Sequence, residues 1–372
     1  MHPPPPLARF GDLLATGLRD VTSDPAALDS SGFWAVTAGF EGSLVCARFD
    51  HVRRAPAPAV RPGAWRGPRP GAWTSSLDHA AYTAGVREIR ARIARGEVYQ
   101  ANLCRVLSAP LPDPEAADPD ALGVLLARGN PAPYAAVIRL PGHGVEVASA
   151  SPELFLRRTG RTVESGPIKG TGRTPDDLLE KDHAENVMIV DLVRNDLGRA
   201  CATGTVTVPR LCAVERHPGL VHLVSTVRGE LAPGTGWPGL LAASFPPGSV
   251  TGAPKASALR LIAALETAPR GPYCGGIGWV DADRGTGRLA VGIRTFWIDR
   301  AEPAGPAVRF GTGAGITWGS DPEREWRETE LKAGRLLAIA SAPDDAPAAG
   351  AARSVPGRAG PAEPAESEGS PR

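Results

Sequence analysis

Alternating apolar runs arrive along this chain in groups, some joined by turns too short to hold a helix. That grouping constrains the fold more than any other feature. Leu289, Val291, Ile293 and Trp297 fall on one face of a period-two run, opposite Ala290, Phe296 and Ile298, and Asp281 to Gly287 reads as the hairpin turn before it. Helical patterns are fewer. Tyr82, Val86, Ile89 and Ile93 form a stripe stopped by Gly96. A second helix is predicted to begin after Pro175 and run to about Asp196. A third starts at Asp321-Pro322, an N-cap followed by proline, with Glu323 and Glu325 near the positive end of the helix dipole. Hairpins interspersed with isolated helices predict an α+β fold rather than regular βαβ units.

The 372 residues, 42% of them hydrophobic, suffice for one large domain or two ordinary ones. With 41 basic and 40 acidic residues the net charge is +1, which leaves no basic field for nucleic acid and no polybasic segment for an anionic membrane. No apolar run is long enough to span a bilayer, and the start, Met1 to Pro6, lacks the pattern of a signal peptide. Five scattered cysteines without a CxxC pair suggest reduced thiols and a cytoplasmic setting. Residues 1–75 read as an N-terminal segment, partly irregular, with a Pro/Gly/Arg-rich connection between Arg53 and Trp73. A main domain over 76–342 follows, and 343–372, made of Pro, Ala, Gly, Ser and Glu, is expected to be disordered because it has little apolar surface to bury.

Several polar residues sit where apolar ones would be expected. Glu185 shares the inward face of the second predicted helix with Met188, Ile189 and Leu192, so its carboxylate needs a cation, either a basic residue such as Arg194 or Arg199 or a metal. On the third helix Glu325, Glu328 and Lys332 line one face, as a solvated charge ladder or as a ligand surface. The preceding strand and loop, Phe310 to Gly315, leaves backbone amides open to a ligand carboxylate. Two helices offering a few carboxylates suit Mg²⁺. Arg294 interrupts an apolar strand and calls for an anion; His222, in Val221 to Ser225, is a core histidine or a site residue. Gly248 to Lys255 reads as a loop before a helix whose spacing fails that of a P-loop, and Gly275 to Gly278 lacks the order of a dinucleotide fingerprint.

In chain order, Gly96 to Leu103, Ser151-Pro152-Glu153, Gly166 to Thr171 around Lys169, the Glu185 helix, His222 to Ser225, Gly248 to Lys255, Tyr273 to Gly278, Arg294 and Gly313 to Lys332 resemble the chorismate-utilising enzymes. That family includes the anthranilate, aminodeoxychorismate, isochorismate and salicylate synthases. The resemblance implies one large α+β domain of two packed antiparallel sheets with helices outside and the active site in the cleft between them. It implies that Glu185 and Glu325, with Glu328 close by, hold Mg²⁺ against the ring carboxylate of chorismate. Arg294, Tyr273 and Lys332 match positions that hold the enolpyruvyl carboxylate; Ser249, Thr251, Gly252, Gly313, Gly315 and Thr171 match substrate contacts, and His222 lies near the ring. Glu153 matches the acid that protonates the departing C4 hydroxyl.

Lys169 stands where most of the family has alanine, and resembles the aminodeoxychorismate synthase branch, whose lysine amine attacks ring carbon C2 before ammonia enters at C4. The product would be 4-amino-4-deoxychorismate, on the way to para-aminobenzoate and folate. Gln100 matches the lysine that activates water in isochorismate and salicylate synthases; a neutral amide cannot be that base. The alternatives are anthranilate synthase component I and a catalytically silent chorismate-binding subunit. The N-terminal part is short for a tryptophan pocket, although Asn130 to Tyr134 resembles one of its segments. No amidotransferase domain fits in the chain, so ammonia is expected from solution or from a separate glutamine amidotransferase subunit.

Overall fold

The computed structural model describes residues 4–56, 65–172, 174–178, 180–217 and 220–341. The expected tail at 343–372 and residues 57–64 of the expected connection lie outside the described residues. All strand pairings are antiparallel and join into one network, as an α+β fold requires. The N-terminal strands belong to it: Leu7–Phe10 pairs with Ala136–Arg139, and Phe33–Ala38 pairs with Gly276–Asp281.

Alternate residues of the Tyr134–Leu140 strand feed different cores. Ala136 and Ile138 join Val36, Val147, Leu156 and Leu289 in the largest cluster, whereas Val137 packs with Phe296, Phe310 and the last helix. The period of two thus places one strand between two apolar layers. The His79–Ala94 helix buries Tyr82, Val86 and Ile89 as its stripe predicts, and Gly96 follows at φ +75°. The predicted second helix opens with a 3₁₀ turn at Pro175–Asp177 and continues as Glu180–Gly198. The last helix, Pro322–Ser341, is capped by Asp321, whose carboxylate accepts from Arg324 N at 3.0 Å.

Two expectations fail. The apolar run from Leu289 to Ile298 is not one strand: it breaks between Thr286–Val291 and Thr295–Asp299, with Arg294 in the break at φ +53°. Hydrophobic period alone does not register a break at a left-handed residue, on either side of which the run keeps its direction along Thr159 to Val147. Conversely, the glycine-rich stretch expected to include a loop is strand throughout. Ala307–Ile316 pairs with Gln100–Pro110 from Ala307↔Pro110 to Ile316↔Ala101. Its glycines serve neighbouring side chains: a Cβ on Gly311 would lie 2.1 Å from the Tyr273 ring, and one on Gly313 2.6 Å from Cys104 Sγ.

Arg270 ties this ladder to the loop before the Lys255–Leu265 helix. Fully buried, it bonds Glu266 at 2.6 and 2.8 Å, Val250 O at 2.8 Å and Asn102 O at 2.9 Å, and lies 4.2 Å from the centre of the Phe40 ring. Removing its charge strands the Glu266 carboxylate and two carbonyls. Arg270→Met is therefore expected to lower unfolding free energy by about 3–5 kcal/mol, read as a lower urea midpoint at unchanged slope.

Candidate active site

Glu153 leaves the Val145–Ser151 strand and enters the Leu154–Thr159 strand with its carboxyl in the protein interior, 4% exposed. Burial pushes its pKa from the ordinary 4.5 up to about 7; the Ser249 hydroxyl, the nearby Lys169 charge and the Ile168 N–H oppose the rise only in part. Near neutral pH this carboxyl carries a proton a large fraction of the time.

Lys169 lies on the Ile168–Gly172 strand, where a register shift between Lys169 and Thr171 coincides with Gly170 at φ +74°. The amine reaches the Ala307–Ile316 strand. A Cβ on Gly315 would stand 3.5 Å from Lys169 Nζ and 2.4 Å from Gln100 Nε2. A side chain at Gly315 would clash with the Gln100 amide and would touch the Lys169 amine. Gln100 is buried and its Oε1 has no hydrogen-bond partner among the described residues. Two residues earlier on the same strand, Gly313 O accepts from Lys332 Nζ at 3.0 Å, and that amine also pairs with Glu328 at 2.7 Å. One strand thus has an amine at each of two glycines one pleat apart.

The remaining expected residues divide. Ser249 and His222 are buried, and His222 stands opposite Thr171 in the strand pair, with the Thr171 side chain outside the described atoms. Tyr273 is buried with its hydroxyl 3.8 Å from Cys104 Sγ. Arg294 is half-buried with no ion pair among the described residues, and burial pulls its pKa down. Thr251 and Gly252 have structural duties. The Thr251 hydroxyl donates to Pro247 O or Gly248 O, and a Cβ on Gly252, at φ +148°, would come within 2.2 Å of Gln100 O. Glu185, Glu325 and Glu328 are half-buried. The buried face of the Glu180–Gly198 helix is centred on Asn186, Ile189, Val190, Val193 and Leu197, and Glu185 flanks it. Among the described residues, no three His, Cys, Asp or Glu side chains form a metal-binding group. A donor set of carboxylates alone nevertheless has the oxygen chemistry of a hard cation that keeps waters of its own.

Residues 32–338 match the model of the chorismate binding enzymes. The chain belongs to that family. It is 43% identical over 304 residues to anthranilate synthase component 1 of Streptomyces coelicolor, covering 77% of this chain and 57% of that protein. It is 42% identical over 270 residues to aminodeoxychorismate synthase of Streptomyces pristinaespiralis, covering 69% of this chain and 36% of that one. The chain thus spans well under two thirds of these relatives. In fold it is similar to anthranilate synthase component I of Streptococcus pneumoniae, with a TM-score of 0.68 at 24% identity over 83% of this chain and 81% of the other. It is also similar to the menaquinone-specific isochorismate synthase of Escherichia coli, with a TM-score of 0.74 at 20% identity over 90% and 88%. Among the described residues no helix is long and apolar enough to cross a membrane.

Sequence reasoning missed two buried polar pairs at this chorismate-family site. Asn186 accepts from the Ser225 hydroxyl and donates to Leu223 O at 3.1 Å. Asp196 accepts from Lys255 at 2.7 Å. Their types mark them as polar residues in apolar company, but their partners are distant in sequence.

The raised pKa of Glu153 has a consequence for stability. Between 4.5 and about 7 the folded chain holds a proton that the unfolded chain has released, so stability falls as pH rises through that window and then levels. The loss amounts to roughly 3 kcal/mol. Glu153→Gln cannot ionise; its melting temperature is expected to match wild type near pH 4.5 and exceed it at pH 8.

Proposed function

We propose that this chain converts chorismate and ammonia to 4-amino-4-deoxychorismate, as aminodeoxychorismate synthase component I does. The observation that carries this reading is the Lys169 amine at Gly315, within electrostatic reach of a Glu153 carboxyl whose pKa is raised to about 7, so that it still holds a proton part of the time at neutral pH. Neutral Lys169 adds to C2, the ring double bond shifts, and the C4 oxygen departs with the proton of Glu153 as water. Ammonia then adds at C4, the double bond shifts back and the Lys169 nitrogen leaves. The sum is chorismate plus ammonia to aminodeoxychorismate plus water. Arg294, with no ion pair among the described residues, is the natural partner for a substrate carboxylate, and Lys332 at Gly313 O is a second. Gln100 beside Gly315 presents an amide where activating water would require a base.

Glu185 and Glu325, with Glu328 once Lys332 turns to substrate, are the side chains that would hold Mg²⁺. When bound, the ion supplies positive charge at the ring carboxylate as electrons move through the ring. The ammonia is proposed to come from a separate glutamine amidotransferase subunit.

Anthranilate formation is the second reading, favoured by the relative at 43% identity that carries that name. The two differ at Lys169. Chorismate without ammonia is expected to leave a covalent adduct on wild type but not on Lys169→Ala, and ammonium should release it. With ammonium, wild type should yield the 4-amino product and Lys169→Ala should lose most of it. Mass spectrometry of protein and products decides: an unmodified wild type together with an unchanged product in Lys169→Ala supports anthranilate chemistry. Separately, Glu185→Gln and Glu325→Gln are each expected to weaken Mg²⁺ binding by at least about tenfold in titration calorimetry, with unchanged circular dichroism and with turnover abolished by excess chelator.

A further inference from the structure

The partly buried pair of Asp196 and Lys255 lies behind Glu153, on the far side of the turn that carries Ser249. Lys255, first residue of the Lys255–Leu265 helix, places Nζ 2.7 Å from Asp196 Oδ2 and 3.0 Å from Ser244 O. Arg199 bonds the other Asp196 oxygen at 3.0 Å and reaches Ala243 O. Two helices and the end of a third are therefore tied at one carboxylate. Between the tied points runs Phe245 to Pro254, with the 3₁₀ turn Gly248–Val250 at its middle. Gly248 backs directly onto the Glu180–Gly198 helix: a Cβ there would lie 3.3 Å from Leu192 Cβ and 3.8 Å from Asp196 Oδ2. Glu153, Ser249, Ser244 and Asp196 line one cavity of about 10 Å³, so the Asp196 end of the ion pair shares a cavity with Glu153.

We propose that Asp196 and Lys255 are positioning residues that clamp the Gly248–Val250 turn so that the Ser249 hydroxyl meets the Glu153 carboxyl. The geometry fits this duty better than a purely structural one. A partly buried ion pair costs desolvation that a pair of apolar side chains would avoid. Its three anchored points, Ser244 O, Ala243 O and the start of the Lys255 helix, all flank the one turn that touches Glu153. The charged groups facing Glu153 are Lys169 from the Ile168–Gly172 strand and Asp196 across the cavity; Lys255 stands behind Asp196. The proposal rests on the reading of Glu153 as the proton donor.

The test compares Lys255→Met with Ser249→Ala and with the double variant, by infrared titration of the Glu153 carboxyl as a difference against Glu153→Gln in each background. Both single variants remove the hydroxyl contact that favours the carboxylate, so Glu153 is expected to keep its proton to higher pH in each. The double variant should add nothing further, because one contact is lost by two routes. Turnover with chorismate and ammonium should fall about tenfold in kcat, part of what a well-placed acid contributes, with its alkaline limb displaced upward and KM nearly unchanged. Lys255→Arg should restore most of the rate. An unmoved Glu153 titration in folded Lys255→Met, or shifts that add in the double variant, overturns the proposal. If Lys255→Met does not fold, Asp196→Asn keeps the volume and releases the clamp; because it also removes an anion facing Glu153, it is read through its coupling to Ser249→Ala, and shifts that add in that double variant overturn the proposal. The infrared reading needs no turnover. Full activity in Glu153→Gln would overturn the acid assignment while leaving the clamp to be judged on its own data.

Discussion

The ladder between Gln100–Pro110 and Ala307–Ile316 carries glycine at 311, 313 and 315, and the candidate site depends on what fills the space above them. In a pleated strand alternate residues share a face. Three missing side chains on that face make a groove walled by backbone. The Tyr273 ring, Cys104 Sγ and the Gln100 amide with Lys169 Nζ occupy it in turn. Any Cβ in the row would displace one of them. The strand thus holds an amine against backbone that carries no side chains, on a ladder whose pairing leaves little room for adjustment. That rigidity is what placing a reacting group requires.

Around the groove the protein buries several ionisable groups and treats each differently. Arg270 is fully buried and completely paired, with a carboxylate, two carbonyls and an aromatic face. Asp196 and Lys255 neutralise each other. Glu153 has hydrogen bonds and a cation nearby but too little to offset its desolvation, so its proton stays on to about pH 7. Arg294 is half-buried, with burial pulling its pKa down and no ion pair among the described residues. The first two arrangements hold walls in place. The last two leave a proton and a positive charge available, which suits a substrate that bears a poor leaving group and carboxylates.

Much of this was legible from local pattern. The Tyr82 stripe, the Gly96 stop and the Asp321 cap each depend on residues within a turn or two, and the structure has them where the periodicity puts them. Lys169, Glu153 and Arg294 were legible as residues that need a special environment, and their motif order pointed to chorismate chemistry. Less legible was whether a glycine served a ligand or a neighbouring strand. A Cβ on Gly252 would meet Gln100 O, and one on Gly313 would meet both Leu103 O and Cys104 Sγ, so each glycine also has a duty within the fold.

By itself the sequence determined where three of the helices lie, that strands pair in hairpins rather than through helical crossovers, and which polar side chains sit in apolar company. Those properties follow from period, capping and residue type, all of which act over a few residues. Only the tertiary structure decided that the glycine-rich segment is strand, that the apolar run breaks at Arg294, and that Lys255 meets Asp196 across 59 positions of chain. Each of those depends on a partner far away in sequence. The pKa of Glu153 belongs with them, because desolvation is set by everything that closes around a group and by nothing in its immediate neighbours alone.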